Sequence, residues 1–303
     1  MNLTILYRGP LSSRNYDCHY CPFGKHQESS EELAADRAAL SRFVRRVEEL
    51  SEITLSIFFT PWGEALVRRS YQQALATLSR LPHVRRVAIQ TNLSCPLNWL
   101  DECDISKIGL WCTWHPSQVG RPEFIQQCHE LSRRGVSYSA GMVGLHEDFG
   151  EMARLREDLP EGTYFWVNAY KDQPDYYSPE EVDWLESLDP LFRTNTIRHP
   201  SRGRSCRAGA TAMTVDGEGT MRRCHFVREP IGNFYDDNFT ESLAERPCPN
   251  DTCGCHIGYV HLDELQLYPV YGAGLLERVP SLRNGPETTS PFNREPAASA
   301  ADG

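Results

Sequence analysis

Nowhere in the chain does an apolar run approach the ~20 residues that span a bilayer, and Met1 to Pro10 carries no basic segment leading into an apolar stretch with a cleavage site. These absences argue against a membrane-spanning helix and give the expectation of a cytoplasmic protein with no membrane partner. Positive charge is also short, since 31 Lys and Arg face 41 Asp and Glu for a formal net charge of -10. Proteins that bind phosphate backbones gain affinity by neutralising them with Lys and Arg, so nucleic acid is not an expected partner. Internal repeats are absent as well. What the 303 residues do have is a 40% hydrophobic share, enough for a full core, and eleven cysteines. Thiols in a reducing compartment stay free unless they hold metal or do chemistry, so metal is the expectation for the clustered ones.

The first two-thirds alternates short apolar runs with helical stretches, the pattern of βα units around a parallel sheet. Leu3 to Tyr7, Ile53 to Phe59, Val84 to Thr91, Ile105 to Cys112, Val136 to Val143 and Tyr164 to Ala169 read as strands. Leu40, Phe43, Val44 and Val47 fall at helical spacing, which makes Glu31 to Leu50 an amphipathic helix with Ser29 and Glu32 as its capping box. Further helices are expected at Ala65 to Leu81, Pro122 to Arg134, Asp148 to Leu159 and Pro179 to Leu188. The fold class is therefore α/β, a partial (β/α)6 barrel over residues 1–189, with fewer units than the eight of a closed barrel. After Pro190 the pieces are short, Gly- and Cys-punctuated and too irregular for more βα units, so residues 190–262 read as a small Cys-rich metal-binding module. Residues 263–303 form a C-terminal extension, expected to be disordered from about 276 where Pro, Ser, Ala and Asn accumulate.

Directly after the first strand comes Ser13-Arg14-Asn15-Tyr16-Asp17-Cys18-His19-Tyr20-Cys21-Pro22-Phe23. A Cys-x-x-Cys in a loop sets two thiolates close enough to ligate neighbouring metal ions. The loop resembles the C-x3-C-x-aromatic-C signature of the radical S-adenosylmethionine (SAM) family, with Tyr20 in the aromatic slot. In that family three cysteines bind three irons of a 4Fe-4S cluster, and SAM chelates the fourth. The resemblance implies Cys18 and Cys21 as ligands, whereas Arg14 stands where the first cysteine belongs. A guanidinium offers donors only and no lone pair to iron, so a third protein ligand would have to come from Asp17, His19 or His26.

Four further segments share the strand-end placement where βα-barrel active residues gather. Phe58-Phe59-Thr60-Pro61-Trp62-Gly63-Glu64 is similar to the family's Gly-Gly-Glu motif, which holds the methionine amine, with Trp62 replacing the first glycine; read alone it is a turn capping the next helix. Gln90-Thr91-Asn92 resembles a Thr-Asn-Gly strand end, with Leu93 in the glycine position. Thr113-Trp114-His115-Pro116 stands where relatives place a polar residue near the SAM ribose or carboxylate, and Gly141-Met142-Val143-Gly144 resembles the segment that passes the adenine. The resemblance thus implies Tyr20, Gly63, Glu64, Asn92, Thr113 and Val143 as cofactor-binding residues. His115 by itself reads as a hydrogen-bonded loop histidine, and Cys95, Cys103, Cys112 and Cys128 read as small buried hydrophobes.

Toward the C-terminus, twelve residues separate Cys206 from Gly219 and four more separate Gly219 from Cys224. Val215 to Gly219 reads as a hairpin turn that brings these two thiols together, and Cys248, Cys253 and Cys255 supply the rest. The spacing resembles the SPASM/twitch extension of radical SAM enzymes, which implies one auxiliary 4Fe-4S cluster on Cys206 and Cys224 with two or three of the others. Four paired thiolates also suit a structural zinc. The resemblance as a whole implies reductive cleavage of SAM to a 5'-deoxyadenosyl radical, a peptide or small-molecule substrate, and a reducing partner such as flavodoxin or ferredoxin. The alternatives are a catalytically degenerate binding protein, given Arg14, and a zinc-stabilised structural protein.

Overall fold

The computed structural model describes residues 1–13, 15–20 and 27–281. Six strands and five helices follow one another, with only 3-10 turns between the third and fourth strands: β1 (Asn2–Arg8), α1 (Ser30–Glu49), β2 (Thr54–Phe59), α2 (Arg69–Arg80), β3 (Val84–Thr91), β4 (Ile108–Thr113), α3 (Arg121–Arg133), β5 (Ser137–Val143), α4 (Phe149–Asp158), β6 (Tyr164–Asn168) and α5 (Pro179–Leu188). The helix starts are written locally. Ser29 and Glu32 close a reciprocal capping box on α1, and Ser178 and Glu181 do the same for α5, whose first residue is Pro179. The helix expected over Ala65 to Leu81 is instead a single 3-10 turn, Ala65–Val67, followed by α2.

The chain continues through α6 (Phe192–Thr196), β7 (His199–Pro200), β8 (Ala212–Asp216), β9 (Thr220–Arg222), β10 (Pro230–Asn233), β11 (Thr252–Cys253), α7 (His256–Tyr259) and α8 (Leu267–Tyr271). The main sheet has nine strands in the order β10-β9-β8-β1-β2-β3-β4-β5-β6. All pairs from β8 through β6 are parallel, while β9 and β10 add an antiparallel edge. Within residues 190–262, β8 joins the main sheet, pairing along β1 from Thr4 with Ala212 through Arg8 with Asp216. Its alternating buried residues, Met213 and Val215, join the same core as Ile5 and Tyr7. The β8–β9 turn lies where expected, with Gly219 at φ +84°, a conformation that favours glycine.

Strand alternation divides the core in two. Leu3, Ile5, Tyr7, Ile57 and Phe59 pack under the helices with Leu40, Phe43 and Val47 of α1. Leu6, Phe58, Ala88, Trp111 and Trp166 form a second cluster on the opposite face, and Ile257 and Leu276 from the C-terminal segment pack onto it. The tail expected to be disordered from about 276 begins with buried residues, Leu276 buried and Glu277 and Arg278 0% exposed, while residues 282–303 lie outside the described residues. Glu277 is paired with Arg86 and accepts from Ser137 Oγ at 2.7 Å, at the N-terminal ends of β3 and β5. Arg278 lies 3.6 Å from Asp189 and over the Trp166 ring at 5.1 Å. Sequence polarity hid this segment, because a buried ion pair is as polar as a solvated tail. Among the described residues no helix is long and apolar enough to cross a membrane.

Candidate functional site

The C-terminal ends of β2, β3 and β4 meet the loop after β1 at one rim, where their residues line a cleft of about 210 Å³. Asn15, Tyr16 and Cys18 come from the loop, Trp62, Gly63 and Glu64 follow β2, Gln90, Thr91 and Asn92 end β3, and Thr113 and His115 end β4. A Cβ on Gly63 would collide with the Ser13 carbonyl, so glycine lets the two loops close on each other. Of the cofactor residues expected from the sequence, Gly63, Glu64, Asn92 and Thr113 share this cleft. Tyr20 contacts His115 of the cleft without lining it, and Val143 sits half-buried at the end of β5 without lining it. Arg14, Cys21 and His26 lie outside the described residues.

Glu64 is held by three hydrogen bonds, from Asn92 N at 2.6 Å, Thr91 Oγ1 at 3.0 Å and Leu66 N at 3.1 Å. Burial outweighs these bonds and raises its carboxyl to about 7. Asn92 donates in turn to Asn15 Oδ1 at 2.9 Å, tying the β3 end to the cysteine loop. Leu93, in the position where the resemblance expects glycine, has φ +56°. The backbone thus keeps the glycine conformation while the side chain is buried in the core.

His115 is the residue that sequence reasoning undervalued. Its Nδ1 lies 3.2 Å from Cys18 Sγ and 2.7 Å from Tyr20 Oη, and Tyr16 packs edge-on against the ring at 5.7 Å. Burial lowers the imidazole to about 4, so it is neutral near pH 7. The only available signal was its position just past a barrel strand. His19, by contrast, turns outward to Glu147 at 3.5 Å, and the Asp17 amide donates to Gln118 Oε1 at 2.8 Å. Cys95, Cys112 and Cys128 are core residues, and Cys103 is half-buried.

The C-terminal cysteines form a second locality. Cys206, Cys224, Cys248 and Cys253 lie within electrostatic reach of one another. Cys206 bridges to Leu262, Cys248 to Arg202, and Cys253 pairs with His199 between β11 and β7. Burial raises these thiols, Cys253 to about 12, while Arg223 pulls Cys206 and Cys224 the other way. Arg223 is itself buried, and its Nε and Nη2 have no hydrogen-bond partner. Among the described residues no three His, Cys, Asp or Glu side chains converge as ligands of a single metal ion do. Cys255 lies within electrostatic reach of Cys253 and also of the cations Lys171, Arg8 and Arg278.

No family model and no characterised protein matches the chain in sequence. Its structure aligns with native anSMEcpe with bound AdoMet and Kp18Cys peptide at TM-score 0.51 and 14% identity, covering 79% of this chain and 80% of that one. Native anSMEcpe with bound AdoMet gives TM-score 0.50 and 15% identity, over 80% of this chain and 83% of that one. The likeness establishes a shared fold. These neighbours are radical SAM enzymes, and the mostly parallel nine-stranded α/β sheet described above is consistent with their core.

Proposed function

We propose that this chain is a radical SAM enzyme that binds AdoMet in the rim cleft and modifies a peptide or small-molecule substrate. The observation that carries the reading is the convergence, in one cleft, of Cys18 with Gly63, Glu64, Asn92 and Thr113, residues contributed by the loop and strand ends that the sequence motifs single out. The AdoMet-bound neighbours of the same fold support it, and the peptide held by one of them favours a peptide substrate. A buried thiol on the cleft wall suits a cluster ligand beside AdoMet, and neutral His115 is poised to hydrogen-bond it. When bound and reduced, such a cluster supplies the electron that cleaves AdoMet to methionine and a 5'-deoxyadenosyl radical. The chain's own part is to hold AdoMet between Tyr16, Trp62 and the β3 end, and to keep water from the radical.

The C-terminal site fits an auxiliary 4Fe-4S cluster on Cys206, Cys224, Cys248 and Cys253. Two orphaned nitrogens of buried Arg223 beside these thiols are the donors that an anionic thiolate–sulfide cluster would satisfy.

Arg14 favours a second reading, a degenerate protein that retains the cleft and the auxiliary cluster without cleaving AdoMet. Anaerobic reconstitution with iron and sulfide, followed by metal analysis and assay of deoxyadenosine, separates the two. Two clusters with deoxyadenosine support the enzyme; one cluster without it supports the degenerate form, and zinc alone overturns both. Arg14→Cys restores a thiolate, and the expected result is about one further cluster and faster AdoMet cleavage.

A further inference from the structure

The loop that follows β6, together with Arg198 from beyond α6, lines a cavity of about 320 Å³ that shares no residue with the AdoMet cleft. Its tyrosine walls are tied to the end of β5. Tyr177 Oη donates to Gly144 O at 2.6 Å and accepts from Tyr170 N at 2.8 Å, and Tyr176 stacks on His146 with ring centroids 4.1 Å apart. β5 in turn pairs with β4, whose end gives Thr113 and His115 to the cleft, so the cavity and the cleft open on one rim. Two cations line the cavity. Lys171 Nζ donates to Gly254 O at 2.6 Å, and Arg198 Nη2 donates to Lys171 O at 3.2 Å. Among the described residues no carboxylate pairs with either. The lining does include Asp175, which is exposed at φ +49°, and the nearby Glu181 carboxylate is taken up by Ser178 N at 2.8 Å in the α5 cap.

Neighbouring cations repel, and Lys171 is half-buried, so the pair gains from an anion placed beside it. A chain of net charge -10 has carboxylates to spare, yet none of the described ones fills this role. We propose that the cavity beyond β6 is the docking site for an acidic side chain of a peptide substrate, whose carboxylate Lys171 and Arg198 hold between the tyrosine walls. The guanidinium and ammonium supply charge-assisted donors, and tyrosines offer broad contact at low entropic cost. Spacing favours a peptide over a small acid. Adjacent strands lie about 4.8 Å apart, which puts the β6 end about 10 Å from the β4 end, and an extended chain covers that in about three residues. A ligand of that reach can seat one side chain in the cavity and present another to the AdoMet cleft. The inference rests on the assignment of that cleft to AdoMet.

Fluorescence anisotropy of a labelled heptapeptide tests this. The full chain, purified anaerobically, is titrated against a Gly- and Ser-based probe with two central glutamates and against the same probe with glutamines. The expected result is at least about tenfold tighter binding of the glutamate probe, weakening as salt is raised, against the general repulsion that a chain of this net charge exerts on acidic ligands. Lys171→Gln and Arg198→Gln each remove most of that preference, while Lys171→Arg keeps part of it and reports that the cavity has folded. Equal binding of the two probes, or a preference unchanged in both Gln variants, overturns the site. Displacement of the probe by free glutamate as effectively as by the unlabelled peptide shows a small-acid site and overturns the peptide class. A phosphoserine probe that binds over about a hundredfold tighter than the glutamate probe reassigns the site to phosphate and overturns the carboxylate class. Binding needs no AdoMet cleavage, so an acidic preference without deoxyadenosine counts against the enzymatic reading alone, and deoxyadenosine without that preference counts against the cavity alone.

Discussion

The rim cleft and the C-terminal cysteine cluster are both cysteine sites, yet they are built in opposite ways. In the cleft, polar groups satisfy one another: Glu64 takes three hydrogen bonds from its own neighbours, and Asn92 locks Asn15. In the cluster, the charged residue beside the thiols keeps two buried nitrogens unpartnered. A site that is internally satisfied is preorganised and folds without its ligand, whereas one with orphaned donors leans on the ligand for stability. The difference follows from position, strand ends on one side and short irregular segments on the other.

The largest expected effect tests that dependence directly. Ser in place of Cys206, Cys224, Cys248 or Cys253 is expected to remove the auxiliary iron and with it stabilisation on the order of 10 kcal/mol, the scale of structural metal sites. Cys18→Ser should leave that iron and the melting of the C-terminal segment unchanged. Iron analysis with calorimetry checks both, and equal losses in the two sets would erase the contrast. Next in size is the buried ion pair of Arg278 with Asp189. Arg278→Met strands Asp189 in the interior and should destabilise by about 3–5 kcal/mol in urea titrations; a loss under about 1 kcal/mol would mean that the segment is only loosely seated.

The cleft's preorganisation has a pH signature. The folded-state carboxyl of Glu64 is raised from 4.5 to about 7, so the folded protein binds more protons than the unfolded chain between those values. Its contribution therefore weakens stability as pH rises from about 4.5, with the full penalty, on the order of 3 kcal/mol, present above about pH 7. Glu64→Gln should flatten this part of the profile, and an unchanged slope would assign the titration elsewhere. The smallest effect concerns Leu93, held at φ +56°. Both Leu93→Ala and Leu93→Gly lose its buried side chain, but glycine also releases the backbone strain, so the Gly variant should be about 1 kcal/mol more stable than the Ala variant. The reverse order would remove the claim that this strand end keeps a glycine geometry.

Much of this architecture is legible along the chain. Apolar runs at strand spacing, the capping boxes at Ser29 and Ser178, and Pro179 at a helix start are short-range signals, and the corresponding elements are found within a few residues of their expected bounds. The strand-end motifs place Gly63, Glu64, Asn92 and Thr113 on one rim for the same reason, because parallel βα units deliver successive strand ends to one side. Val143 misses the cleft because being on the rim does not fix where a side chain points.

By itself, then, the sequence determined the order of strands and helices, the rim and the β8–β9 hairpin turn, since each depends on periodicity or on turn chemistry a few residues long. The fold decided what needs contacts across the chain. It brought His115 to Cys18 over 97 positions, joined β8 to β1, and buried Glu277 and Arg278 against the sheet. Local sequence carries no record of such meetings, because the energy that stabilises them comes from groups that become neighbours only when the sheet has formed.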